Sequence, residues 1–216
     1  MGAALTRRSC VAEVIGPPGV GKSTLVGALV RADPAIAVLD TLQPAGTATM
    51  VAGAGRAARL LPLARRARPR RKVARLLARA ETARHAVAAG RLRAPVLLID
   101  QGPVYTLARL EVAGVRWDGS LARWRARMLD DIAEMLDLTV WVTCPIDVAL
   151  ARIGQRPKSH AAETAGPDLV AMYQRAYASL RTDLVARRVP EVEVRTDVGT
   201  VEDASAILRG ALGADR

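Results

Sequence analysis

Four short apolar runs punctuate the chain, at residues 11–15, 35–39, 96–99 and 138–144, and an alternating stretch, 192–195, reads as a fifth strand. Each is bounded by Gly, Pro, Asp or Thr, the pattern of buried strands. Between them the apolar period changes to that of helices. Residues 22–31 put Leu25, Ala28 and Leu29 on one face, and residues 72–89 align Val73, Leu76, Leu77, Ala80, Ala83 and Val87. A short helix after Pro103 carries Tyr105 and Leu110. Residues 120–137 read as a helix capped by Ser120, with Leu121, Trp124, Met128, Leu129, Ile132 and Leu136 inward. Further helices are predicted from Ile146, from Pro167 (with Leu169, Met172, Tyr173, Tyr177, Leu180 and Leu184 in one stripe) and over 201–212. With 216 residues and no internal repeat, this order predicts one α/β domain over 1–216. Its lid is expected near 152–166 and an acceptor-side helical region near 45–91.

The first strand and helix enclose the most specific signal in the chain. Gly16, Gly21, Lys22 and Ser23 satisfy G-x-x-x-x-G-K-[ST], the phosphate-binding loop, in the strand–loop–helix setting that motif requires. Pro17 and Pro18 have no N–H to donate, so the donors begin at Gly19. The amides of Gly19, Val20, Gly21, Lys22, Ser23 and Thr24 can converge on a polyphosphate at the helix N-terminus. Glycine allows the close approach and positive φ this needs. Lys22 is expected to reach the β- and γ-phosphates, and the Ser23 hydroxyl to ligate Mg²⁺.

Acids and bases at other strand ends extend the candidate site. Asp100 ends the run Val96-Leu97-Leu98-Ile99, where a carboxylate can hold Mg²⁺ or take a proton from an acceptor hydroxyl. Asp40 ends the second run and can either meet the acceptor or serve as a turn residue. Arg152 and Arg156 are four apart and share a face if their helix continues that far. With Lys158 they would cover a transferring phosphate.

Composition narrows the partners. The net charge is +11, and every basic residue except Lys22, Lys72 and Lys158 is arginine. Acidic ligands are favoured. The densest basic stretch, Arg56 to Arg91, has Glu81 as its one acid. It is read first as a solvated helix face, with a few arginines available to clamp an anionic group, and His85 is read as a surface residue. The stretch has no interleaved aromatics to stack bases, so nucleic acid is disfavoured as a partner. No apolar run approaches the ~18 residues of a membrane span, and no signal-peptide core opens the chain. Cys10 and Cys144 have no ligand or redox spacing and read as small core residues of a cytoplasmic protein. A homodimer remains compatible with all of this.

Together these motifs resemble the nucleoside and nucleotide kinase group of P-loop proteins, most closely thymidylate-kinase-like proteins, across almost the whole chain. Leu42-Gln43-Pro44-Ala45-Gly46-Thr47 stands where thymidylate kinases carry Arg-Glu-Pro-Gly-Gly-Thr. Asp100-Gln101-Gly102 stands at the acid of the central strand, with Gln101 in place of the usual Arg. Arg152 and Arg156 match the arginine-bearing lid, and Thr196-Asp197-Val198-Gly199 the loop that lies beside adenine in the family. The resemblance implies a five-stranded parallel sheet flanked by helices with a mobile lid. It also implies ATP with Mg²⁺, a catalytic set of Lys22, Asp100, Arg152 and Arg156, and nucleotide contacts from Asp197. Leu42, Gln43 and Gln101 argue against thymidylate as acceptor. Three functions follow: an ATP-dependent small-molecule kinase, a regulatory P-loop NTPase switch, or a nucleic-acid end kinase. Acceptor-dependent turnover separates the first from the second, and a steep loss of binding with salt would mark the third.

Overall fold

The structure, a computed structural model, describes residues 9–40, 70–90, 94–155 and 161–213. Five strands, β1 (Cys10–Ile15), β2 (Ile36–Asp40), β3 (Val96–Asp100), β4 (Leu138–Thr143) and β5 (Glu191–Arg195), form one sheet. Their spatial order is β2-β3-β1-β4-β5, and each pairing is parallel. Among the described residues seven helices connect them. These are α1 (Lys22–Ala32), α2 (Arg70–Gly90), α3 (Pro103–Val112), α4 (Gly119–Met135), α5 (Ile146–Gly154), α6 (Ala161–Ala186) and α7 (Val201–Leu212). Because all the strands run the same way, their carboxyl ends share one edge of the sheet, where ligands of such folds bind.

Strand alternation divides the core between the two faces. Val11, Ile15, Leu97, Ile99 and Trp141 pack against α2, α3, α4 and α6. Ala12, Val14, Leu98, Val140, Val142 and Val194 pack against α1 and α7. Burying one large aliphatic side chain contributes roughly 1.5–3 kcal/mol. A one-residue slip of any central strand would exchange its two faces and lose several such terms, so register is firmly set. At β1 the alternation places a carboxylate, Glu13, on the α3 face between Val11 and Ile15, fully buried. The run read as apolar is therefore interrupted by an acid.

Local differences from the expected elements have simple causes. Ser120 does not cap α4; Asp118 holds the N-cap position, so the helix begins a residue earlier. α6 is broken at Gly166 (φ 62°, ψ −156°), and its continuous part starts at Pro167. That suits a residue whose missing N–H costs nothing in the first turn. Glu81 joins α2 to α4, accepting from Trp124 Nε1 at 3.1 Å and from Arg84 at 3.3 Å, while Arg84 also pairs with Asp131 at 3.1 Å. Arg84 is thus part of a helix–helix contact rather than a solvated face, and His85 lies half-buried beside it. The Pro/Gly loop at 42–47, the arginines at 56–68 and 91, and residues 156–160 of the expected lid, with Arg156 and Lys158, lie outside the described residues. No described helix is long and apolar enough to cross a membrane.

Candidate functional site

The loop between β1 and α1 is shaped by close backbone approach. A Cβ on Gly16 would collide with the carbonyl oxygen of Val142, and one on Gly19 with that of Ala149. Gly19 (φ 85°) and Gly21 (φ 90°) also occupy the left-handed region that side chains disfavour. Gly21 is the N-cap of α1, whose first helical bond runs from Leu25 N to Gly21 O at 3.0 Å. The amides of Lys22, Ser23 and Thr24 therefore belong to the first turn, where no intrahelical acceptor exists. The Lys22 ammonium is held over the loop by the carbonyl oxygens of Gly16 (2.7 Å) and Pro17 (2.8 Å).

Beside this loop stands Asp100. β3 pairs directly with β1, Val14 opposite Asp100, so the tip of β3 ends next to the point where the loop departs. The alternation that turns Leu97 and Ile99 toward α3 turns Asp100 to the α1 side. On the other flank of β3, Asp40 is in backbone register with Asp100. Gln101 follows with φ 57°, an uncommon conformation for a non-glycine residue and a mark of a constrained turn. One cavity of about 250 Å³ is lined by Gly19, Gly21, Lys22, Ser23, Asp100 and Gln101 on this side. Lys22, Ser23 and Asp100, the three residues at the centre of the sequence reading, thus share one cavity.

The cavity's remaining wall comes from residues the sequence reading assigned elsewhere or passed over. Tyr105 and Arg109 of α3 and Leu169 and Tyr173 of α6 complete it. Arg109 lies over the Tyr105 ring at 5.7 Å. Burial pushes the Tyr173 phenol up to about 12, so it stays protonated at neutral pH, with Tyr105 and Arg109 as its polar neighbours. Beneath this wall, Glu13 accepts from the amides of Tyr105 (2.9 Å) and Val104 (3.2 Å) at the start of α3. Burial raises the Glu13 carboxyl to about 8; the helix amides favour its charged form and only partly offset desolvation. Gly102 is obligatory here, since its Cβ would stand 2.6 Å from Glu13 Cδ. An acid inside an apolar strand was the one available sign of this arrangement.

Arg152 lies on the expected helix, and the loop after β5 holds it. Its guanidinium donates to Thr196 Oγ1 (2.9 Å) and Thr196 O (2.7 Å), while Thr196 Oγ1 donates to Val20 O (2.7 Å). A Cβ on Gly21 would lie 3.6 Å from Arg152 Nη1, so the arginine reaches the phosphate loop from the β5 side. It is half-buried and tied between α5 and the loop after β5, rather than hydrated on a helix face. Asp197, in that same loop, pairs with Arg195 at 2.6 Å, which holds its carboxyl below the usual range.

These donors suit a nucleotide and its metal. The amides and Lys22 offer donors to phosphate, while Ser23 and Asp100 offer the hard oxygens that Mg²⁺ takes. No group of three His, Cys, Asp or Glu side chains among the described residues forms a metal cage. Mg²⁺ needs none where phosphates and water complete its shell.

The sheet order, the glycine loop opening α1 and the acid at the neighbouring strand tip define a P-loop nucleotide kinase α/β fold. Among solved structures the chain is similar to the deoxyadenosine kinase from M. mycoides. With bound dATP, that protein matches at TM-score 0.59 and 11% identity over 94% of this chain and 99% of the other. With the products dCMP and a flexible dCDP bound, it matches at TM-score 0.57 and 12% identity, over 95% and 100%. At such identity the likeness is one of fold. No protein-family model and no curated protein matches the sequence.

Proposed function

We propose that this protein is an ATP-dependent kinase that transfers the γ-phosphoryl group to a nucleoside, nucleotide or other small metabolite. The observation that carries the reading is the shared cavity of Lys22, Ser23 and Asp100 at the carboxyl edge of the sheet. In this reading the loop amides and Lys22 bind the phosphates of ATP, and Ser23 and Asp100 hold Mg²⁺. The metal, when bound, neutralises phosphate charge. Asp100 also orients the acceptor hydroxyl and takes its proton. Arg152 holds the loop after β5 against the phosphate loop, and Asp197 lies where the adenine end would lie. Arg156 keeps its proposed role as a lid arginine. Phosphoryl transfer demands little covalent help, so fixed position and electrostatics suffice. The fold neighbours, deoxyadenosine kinases, support the phosphotransferase class. The proposed partner is a small acceptor in a cytoplasmic setting, with no role for nucleic acid. A screen of acceptor pools with ATP and Mg²⁺, read by an acceptor mass gain of one phosphate, tests this directly. Absence of any gain, with ATP bound, would favour a nucleotide switch.

A further inference from the structure

The wall formed by α3 and α6 carries information about the acceptor. Val104, Leu107, Ala108 and Leu110 are buried in the core, and Glu13 and Gly102 fix the first turn of α3. Tyr105 and Arg109, one turn apart, remain on the face that lines the cavity. Several arginines on the helices have carboxylate partners: Arg84 with Asp131, Arg125 with Glu111 and Asp183, Arg181 with Glu191 and Glu193, Arg187 with Asp130. Arg109 differs. Among the described residues it lies over the Tyr105 ring, and Tyr173 stands on the same cavity wall; neither carries a counter-charge. A guanidinium stacked over a ring at the wall of a cavity is preorganised, with its planar fork available to a two-oxygen anion.

We infer that Arg109, stacked over Tyr105 beside Tyr173, binds an anionic group on the acceptor, so that the substrate is a hydroxy compound bearing a phosphate or carboxylate rather than a neutral alcohol or nucleoside. This rests on the kinase reading of the same cavity. In the reaction the acceptor oxygen bonds to the γ-phosphorus as the bond from that phosphorus to the β–γ bridging oxygen breaks. The hydroxyl proton passes to Asp100, and ADP leaves. Arg109 takes no part in these bond changes. It offsets the repulsion between an anionic acceptor and Asp100, which lines the same cavity.

The test separates binding from turnover. With adenylyl imidodiphosphate and Mg²⁺ saturating the phosphate loop, the protein is titrated calorimetrically with inorganic phosphate and with acetate. Either anion should bind, and Arg109→Gln should weaken that binding about tenfold or more, with Arg109→Lys intermediate. The affinity for the nucleotide analogue should change much less. Turnover is then compared within charged and neutral pairs: nucleoside monophosphates against their nucleosides, and hydroxy acids against their amides. The charged member should be preferred, by an amount that Arg109→Gln erases mainly through KM. The two pair types distinguish phosphate from carboxylate. Equal anion binding by wild type and Arg109→Gln, or preference for the neutral members, would overturn the inference while leaving the kinase reading intact. Arg109-dependent anion binding with no turnover of any pair would instead count against the kinase reading alone.

Discussion

The two walls of the cavity are built by different means. On the P-loop side the chemistry is mostly backbone: contiguous amides, glycines at positive φ, and Lys22 secured by carbonyls of its own loop. On the α3–α6 side it is mostly side chain, with Tyr105, Arg109, Leu169 and Tyr173 brought together over Glu13. The first wall suits what all nucleoside triphosphates share. The second can vary without disturbing the loop and is the natural place for specificity. Substitutions in the first wall should therefore abolish turnover of every acceptor, and substitutions in the second should discriminate among acceptors.

The largest effect is expected from Lys22→Ala, which should lower kcat by at least ~10²-fold for all acceptors, the scale of losing one preorganised donor. The variant should stay folded, with melting lowered by no more than the loss of its charge-assisted bonds to Gly16 and Pro17 implies, about 1.5–3 kcal/mol. Turnover and thermal melting measured side by side check both. Asp100→Asn should cost about 10²-fold in kcat, within the range for general base catalysis, with less effect on the KM for ATP. An unchanged kcat and Mg²⁺ dependence would make Asp100 structural.

Arg152→Ala sharpens the contrast from the side. A lid arginine would leave stability untouched. An arginine bonded twice to Thr196 should instead cost about 1.5–3 kcal/mol in denaturant unfolding, the range for bonds to a charged group. The effect furthest from turnover concerns Glu13. Its carboxyl titrates near 8 in the folded protein against 4.5 ordinarily. The folded state therefore retains a proton that the unfolded chain releases, and stability should fall as pH rises through that window and level off above it. Glu13→Gln should flatten the decline, as measured by urea unfolding at several pH values. An identical slope in both proteins would mean that Glu13 is already ionised.

What could be read in the sequence follows the same division. The five strands and the P-loop were legible because period and motif are local: residues 16–23 carry their own explanation. Asp100 was legible because a carboxylate at the end of an apolar run has one direction to face. The second wall was not, because residues 13, 102, 105, 109 and 173 meet only when β1, α3 and α6 pack. Tyr173 looked like one more member of an apolar stripe, and its stripe position was right, since it is largely buried. Its hydroxyl, at the stripe's edge, is the part that matters. Arg152 was placed on the correct helix, but helical spacing says nothing about Thr196, whose loop approaches from β5.

The most direct measurement follows ADP release and acceptor mass together, with ATP and Mg²⁺, in wild type and Lys22→Ala. Phosphoryl transfer predicts ADP release that depends on an acceptor and is matched by a gain of one phosphate on it, both lost in the variant. ADP release that proceeds equally without any acceptor, with no phosphorylated product, would contradict it.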